Sequence, residues 1–290
     1  MSNQKYGKIL LLGRPNVGKS TFINNLIGQK VAITSPKPQT TRFPIKALYE
    51  EPRGKIIFVD TPGIFGKTED NLSKKINEQT IKILNEEVNL VIYMVDHTRR
   101  RDFEEARVLG FVRKIDRPKI LVINKIDSEE KSYLPQYSFL EDEFPYVFKI
   151  SGLNRTHLKP LIDKIFEILP DNRGEDIPKD LVYPVLNIDS KIFISELIRE
   201  KIFLMMGEEI PYRTTVIVDE IAERKNGITY IKARILTTDN RYKKMIIGSG
   251  GRKIKEIGSY ARKEIALAIN KKVYLDLTVE TDPHWQETYY

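Results

Sequence analysis

The sequence predicts two domains of different class: an α/β domain with a mostly parallel sheet and helices on both faces, then a smaller α+β domain. Three observations carry this. From residue 8 to about 168, short apolar segments alternate with longer helix-compatible stretches, the pattern of a parallel sheet covered on both sides. The stretch 169–180, LPDNRGEDIPKD, gathers two prolines, a glycine and many charges, as linkers do. Beyond it the order becomes helix, two strands, two helices and a strand. The expected boundaries are 1–170, a linker at 171–181, and 182–290.

In the first domain, KILLLG (8–13), KIIFVD (55–60), LVIYMVD (90–96), KILVIN (119–124) and YVFKIS (146–151) are short and rich in Val, Ile or aromatics. They read as strands buried on both faces. Helices are expected between them, over 69–88 and 102–115 among others. In the second domain, 190–207 reads as a helix ended by Gly207. Residues 212–223 and 227–238 read as a hairpin turned at Asn226-Gly227. A short helix at 240–248 runs into a glycine-rich loop, a basic amphipathic helix covers 252–270, and a last strand covers 272–280. The tail DPHWQETYY receives no role.

A chain of 290 residues, 41% hydrophobic with mean hydropathy −0.36, fits a soluble globular protein. Its apolar runs are far short of a membrane span, and the N-terminus reads as a first strand rather than a signal peptide. With no cysteine it has no disulfide and no thiolate metal site, which is compatible with the cytoplasm. The three histidines form no triad or metal cluster. Net charge is +8, and residues 241–272 alone hold ten Lys/Arg against Glu256 and Glu264. A patch so focused suggests a polyanionic partner.

GRPNVGKS at 13–20 follows a strand and opens a helix, the context that a phosphate-binding P-loop requires. Gly13, Arg14, Pro15, Asn16, Val17, Gly18, Lys19, Ser20 and Thr21 form the candidate loop, whose backbone N–H groups (Pro15 has none) and helix N-terminus would surround the phosphates. Lys19 would reach the β- and γ-phosphates, and the Ser20 hydroxyl would ligate Mg²⁺. NKID, Asn124, Lys125, Ile126 and Asp127, identifies the base. The Asp127 carboxylate can accept from the N1–H and N2 amine of guanine, where adenine offers an acceptor and no amine. Asn124 can bond the other purine edge and the loop, and the Lys125 stem covers the ring. DTPG, Asp60, Thr61, Pro62 and Gly63, also closes a strand. Asp60 would hold Mg²⁺ through a water and the Gly63 N–H would meet the γ-phosphate, with Ile64 next along. A threonine of TSPKPQTTRFP (34–44), Thr41 with Thr40 beside it, is expected to reach Mg²⁺ from a switch loop. Ser151-Gly152 sits where a last loop touches guanine.

The second glycine-rich run, GSGGRKIK, lacks the spacing of a P-loop. It fits G-x-x-G as Gly248-Ser249-Gly250-Gly251 between two expected helices. With the order α-β-β-α-α-β it resembles a type II KH domain, which clamps about four nucleotides of single-stranded RNA. Arg252, Lys253 and Lys255 add charge, and Ile247 and Ile254 would flank a groove for bases.

GRPNVGKSTFINNLIGQKVAITSPKPQTTR, SELIREKIFLMMGEEIPYRTTV and the GSGG loop together resemble the Era family of bacterial GTPases over about residues 5–280. The resemblance implies a Mg²⁺-dependent GTPase that binds the 3′ end of 16S rRNA, with GTP state gating RNA capture in small-subunit assembly. Relatives usually carry Ser-Ala where Ser151-Gly152 stands, and Gly supplies the same backbone N–H. Ras-like enzymes place a water-orienting glutamine just after D-x-x-G. Ile64 stands there, so hydrolysis is either slow or assisted. In related GTPases an Asn at the Asn16 position helps bind K⁺, so Asn16 is either a K⁺ ligand or a shaper of the loop. Lys19, Thr41 and Asn16 are thus the candidate catalytic groups. The protein is expected to be cytoplasmic and monomeric. The alternatives are a GTPase of tRNA modification or large-subunit assembly, an RNA-binding scaffold without turnover, and peripheral contact of the basic patch with acidic lipid at the inner membrane face.

Overall fold

The computed structural model describes residues 4–34, 44–62, 88–171, 190–207, 209–224 and 227–289. The chain divides into two compact units, Met1–Pro184 and Val185–Tyr290. Apart from Asp171, the expected linker lies outside the described residues. Asp171 bridges to Lys5, and its carboxylate takes the Lys5 ammonium at 2.9 Å.

The first unit is built on a six-stranded sheet. In chain order its strands are β1 (Lys5–Leu12), β2 (Ile45–Glu51), β3 (Gly54–Asp60), β4 (Leu90–Asp96), β5 (Lys119–Asn124) and β6 (Val147–Lys149). Their spatial order is β2-β3-β1-β4-β5-β6. All neighbours are parallel except β2, which runs antiparallel to β3. The helices are α1 (Lys19–Ile27), α2 (Phe103–Lys114), α3 (Phe139–Glu143) and α4 (Leu158–Ile168). Alternation along the strands splits the core into two layers. Ile9, Leu11, Phe58, Ile92, Met94 and Val122 pack with Phe22 of α1 and Ile162 and Phe166 of α4. Leu10, Leu12, Val59, Tyr93, Val95 and Ile123 pack on the other face with Val108, Leu109 and Val112 of α2. Helices therefore cover both faces, as the continuous apolar runs require. The chain leaves β1 towards β3 and later returns on its other side at β4. The carboxyl end of β1 is thus a switch point, where ligands of such sheets bind.

The strand expectations at 8–13, 55–60, 90–96 and 119–124 correspond to β1, β3, β4 and β5, and 146–151 contracts to β6. β2 was not foreseen. It is a short edge strand carrying Lys46, Glu50 and Glu51, and it turns tightly into β3. The helix expected over 69–88 lies outside the described residues.

The second unit runs α5 (Ser190–Met205), β7 (Thr214–Glu223), β8 (Ile228–Thr237), α6 (Asn240–Ile247), α7 (Arg252–Ile269), β9 (Lys272–Thr281) and α8 (Trp285–Thr288). The sheet order is β7-β8-β9, with β7 antiparallel and β9 parallel to β8. This is the anticipated α-β-β-α-α-β order, with one added turn. Ile257, Ala261 and Ile265 form the buried stripe of α7, at the spacing of an amphipathic helix. Asn226 lies outside the described residues, and Gly227 beside it has φ 73°. The tail is not idle: Trp285 is fully buried.

Candidate nucleotide and RNA sites

Residues 13–20 connect β1 to α1. Gly18 stands at the helix N-cap with φ 100° and ψ 17°; no side chain caps the helix and no acid lies in its first turn. The first N–H groups of α1 are therefore not claimed by a capping side chain, the arrangement that suits an anion. Lys19 is almost fully buried and lies across the loop, donating to the Gly13 and Arg14 carbonyls at 3.0 and 3.1 Å. Burial lowers its ammonium pKa, against the charges of Asp60 and Glu105. Asn16 takes a left-handed backbone, φ 64°.

Ser20 donates its hydroxyl to Asp60 Oδ2 at 2.5 Å. Asp60 is fully buried at the end of β3, and its Oδ1 has no hydrogen-bond donor among the described residues. Burial pushes the Asp60 carboxyl up from its ordinary value, while Lys19 and the Ser20 hydroxyl pull it down. A hydroxyl and a carboxylate with one unused buried oxygen are hard donors of the kind Mg²⁺ takes, so these residues fit the ion. Thr61 turns inward and donates to the Leu11 carbonyl at 2.7 Å, and Pro62 is buried beside it. Gly63, Ile64, Thr40 and Thr41 lie outside the described residues.

The base loop follows β5. Asn124 donates from Nδ2 to the Val17 carbonyl at 2.8 Å and accepts the Gly152 N–H on Oδ1 at 2.9 Å. It thereby joins the P-loop to the Ser151-Gly152 loop. Gly18 makes room for this, because a Cβ there would lie 2.2 Å from Asn124 Nδ2. The Gly152 N–H expected to meet the base is given to Asn124 in this structure. Lys125 has φ 69° and places its ammonium 2.5 Å from Asp96. Ile126 donates its N–H to the Ile150 carbonyl at 3.2 Å, and Asp127 is exposed. Ser151 is buried, and its Oγ accepts the Asn154 N–H at 2.9 Å. P-loop, metal pair and base loop thus share the carboxyl edge of one sheet.

Two participants were not foreseen. Asn25 of α1 donates to the Gly152 and Leu153 carbonyls at 2.7 and 3.0 Å. His97, after β4, hydrogen-bonds the Lys125 carbonyl through Nε2 at 2.9 Å. Neither belongs to a local motif, so only the fold could bring them in. The Arg14 side chain also departs from its motif. It turns into the core, so Arg14 faces a phosphate only through its backbone.

In the second unit, Gly248, Ser249, Gly250 and Gly251 form the turn between α6 and α7. Gly248, Gly250 and Gly251 have φ of 71°, 58° and 74°, which favour glycine. At Gly248 a Cβ would also lie 2.7 Å from Lys253 Cβ, whereas 250 and 251 have open space. Ser249, Gly250, Arg252 and Lys255 are exposed, and Lys253 pairs with Glu256 at 3.2 Å. The fully buried anchor of α6 is Ile246; Ile247 and Ile254 are half-buried. A cavity of about 540 Å³ opens at the loop, lined by Met205, Ile210, Met245, Gly248 and Arg252 among others, with neither Ile247 nor Ile254 in its wall. A narrow backbone turn flanked by exposed cations suits a sugar-phosphate chain.

The chain is similar to known proteins in both sequence and fold. Residues 8–125 match a family described as 50S ribosome-binding GTPase, and residues 209–286 match the KH domain. The chain is 40% identical to GTPase Era of Halothermothrix orenii over 286 residues, covering 98% of this chain and 95% of that protein. It is 36% identical to GTPase Era of Trichlorobacter lovleyi, covering 99% and 95%. It superposes on a point variant of Aquifex aeolicus Era bound to GDP·AlF4⁻ with TM-score 0.89 at 33% identity, covering 99% of this chain and 97% of the other. A structure of Era with MgGDPNP and nucleotides 1506–1542 of 16S ribosomal RNA gives TM-score 0.88 at 33% identity, covering 99% and 96%.

Proposed function

The chain belongs to the Era family of GTPases, and from that premise we propose that it couples GTP binding and hydrolysis to capture of the 3′ end of 16S rRNA during small-subunit assembly. The family supplies the activity, and the 16S RNA in a similar structure, matched over 99% of this chain and 96% of the other, supplies the RNA class. The large-subunit wording of the first family model concerns residues 8–125 only. The observation that carries the site assignment is Asn124, whose amide ties the phosphate loop to the base loop.

The residues take these roles in the proposal. Gly13 to Thr21 hold the phosphates, and Lys19 leaves the Gly13 and Arg14 carbonyls to meet them. Ser20 and Asp60, with Thr41, hold Mg²⁺, which when bound offsets charge on the β- and γ-phosphates. Asp127 reads guanine, with Asn124, Lys125 and Gly152 shaping the pocket. Asn16 is assigned to a K⁺ site, because Ile64 cannot orient water. Equal hydrolysis in K⁺ and Na⁺ buffers would remove that assignment. Residues 1–170 form the GTP-binding domain and 182–290 the RNA-binding domain, joined by 171–181. Gly248 to Lys255 hold the RNA backbone, with Ile247 and Ile254 beside the bases.

No helix of the described residues is long and apolar enough to cross a membrane. The proposal places the protein in the cytoplasm as a monomer, and any contact with acidic lipid is peripheral, through the basic segment 241–272. The test is GTP turnover by the purified chain together with its affinity for RNA carrying the 16S 3′ end. Turnover without RNA affinity would remove the ribosomal half of the proposal, and RNA affinity without turnover would reduce the protein to a scaffold.

A further inference from the structure

Arg14 is a large charged residue inside the phosphate loop, yet it is fully buried. Its Nε lies 2.5 Å from Glu105 Oε2, and Glu105 is itself buried on α2. Arg14 Nη1 reaches Asp102 Oδ2 at 2.8 Å and the Arg100 carbonyl at 3.3 Å; Nη2 donates to the Tyr137 hydroxyl at 2.9 Å. Tyr93 on β4 completes the cluster, donating to Glu105 Oε1 at 2.5 Å. The circuit closes on the loop a second time. Tyr137 donates to the Arg99 carbonyl, and the Arg99 guanidinium donates to the Pro15 carbonyl, both at 2.8 Å.

A buried ion pair is a poor source of net stability, because desolvation cancels most of the attraction. Nor does it present positive charge to a phosphate: two carboxylates, Asp102 and Glu105, face one guanidinium. What it fixes is position. The Arg14 and Pro15 peptides are tied from below to the segment 99–105. The Arg14 carbonyl is also one of the two that hold Lys19.

We propose that Arg14 and Glu105 are positioning residues of the GTPase site: a buried brace that holds the phosphate loop in its binding shape and ties it to the N-terminus of α2. Neither side chain faces the nucleotide. The proposal rests on residues 13–20 being the phosphate loop, and goes beyond that assignment.

The test uses the full chain and four variants: Glu105→Gln, Arg14→Lys, Arg14→Met, and the double variant Arg14→Met with Glu105→Leu. Arg14→Lys keeps the charge but loses the fork that spans Glu105, Asp102, the Arg100 carbonyl and Tyr137. The double variant removes both charges, and such apolar replacements commonly fold. KM and kcat for GTP, the GDP affinity and thermal unfolding without nucleotide are measured well below the melting point. The brace predicts that KM rises about tenfold in each folded variant, Arg14→Lys included, while kcat stays within about threefold, the signature of lost binding common to ground and transition states. A folded single or double variant with unchanged KM and GDP affinity, and only a lower melting point, would overturn it. So would an Arg14→Lys variant with wild-type affinity, since charge alone would then suffice. If the wild-type chain itself binds no guanine nucleotide, the phosphate-loop assignment fails instead.

Discussion

The side-chain amide of Asn124 donates to the carbonyl of Val17 across 2.8 Å. One side chain on the base-reading loop thus holds the phosphate-reading loop in place, and its other end holds Gly152 at 2.9 Å. The proposed sites for base and phosphate are thereby joined through one side chain. Asn124→Ala removes both buried hydrogen bonds, each worth about 1–3 kcal/mol when its partner is left unsatisfied. GDP affinity should fall by about 10- to 100-fold, read by titration with a fluorescent GDP analogue. Undiminished affinity would show that the loops hold their shape without it.

Asp127 is exposed on the same loop, and the proposal gives it complementarity to guanine rather than support. A carboxylate accepts from guanine N1–H and N2–H. An amide at that position can donate to the additional carbonyl of xanthine. Asp127→Asn should weaken GDP binding and strengthen XDP binding relative to wild type, with the melting temperature unchanged. Equal loss for both nucleotides would point to a structural role instead.

The G-x-x-G turn gives a test confined to RNA. Gly250 and Gly251 adopt left-handed backbone with open space around each, so side chains there would project into the path proposed for the RNA backbone. Gly250→Asp with Gly251→Asp places two carboxylates against phosphates. RNA affinity should drop by at least about tenfold and its salt dependence should flatten, while GTP turnover measured without RNA is unchanged. Unaltered RNA affinity would move the RNA site elsewhere.

Arg234 on β8 grips Asp219 on β7 with two hydrogen bonds of 2.8 Å. This bonding lowers the Asp219 carboxyl pKa, with burial opposing it. A depressed folded-state value stabilises the fold above the ordinary carboxylate value of about 3.9 and is lost as pH falls through the folded value. Both side chains are partly in water, which keeps the effect small. The stability advantage of wild type over Asp219→Asn should hold from about pH 7 to 5 and shrink below about pH 4. Thermal unfolding across that range reads it, and a constant advantage down to about pH 3 would remove the pair as the cause.

The legible parts of this protein are those in which chemistry is local. Gly13 to Ser20, Asp60 to Pro62, Asn124 to Asp127 and Gly248 to Gly251 are each a few adjacent residues at the end of an element, so spacing alone exposes them. The alternation of buried strands exposed the first sheet for the same reason. β2 escaped because a charged edge strand has little apolar signature. Trp285 escaped because one turn of helix in a tail has no period to detect, yet the ring is fully buried. The Arg14–Glu105 pair and the Asn25 and His97 contacts join residues far apart in sequence. Only the crossover of β1 between β3 and β4 brings their loops together, and no composition or spacing encodes that meeting.

In the proposed function, nucleotide state governs RNA capture. The most direct measurement is the affinity of the full chain for RNA carrying the 3′ end of 16S rRNA, at one fixed salt concentration, with a non-hydrolysable GTP analogue and with GDP. The account predicts tight binding with the analogue and clearly weaker binding with GDP. Equal affinity in the two states, or no binding in either, would contradict it.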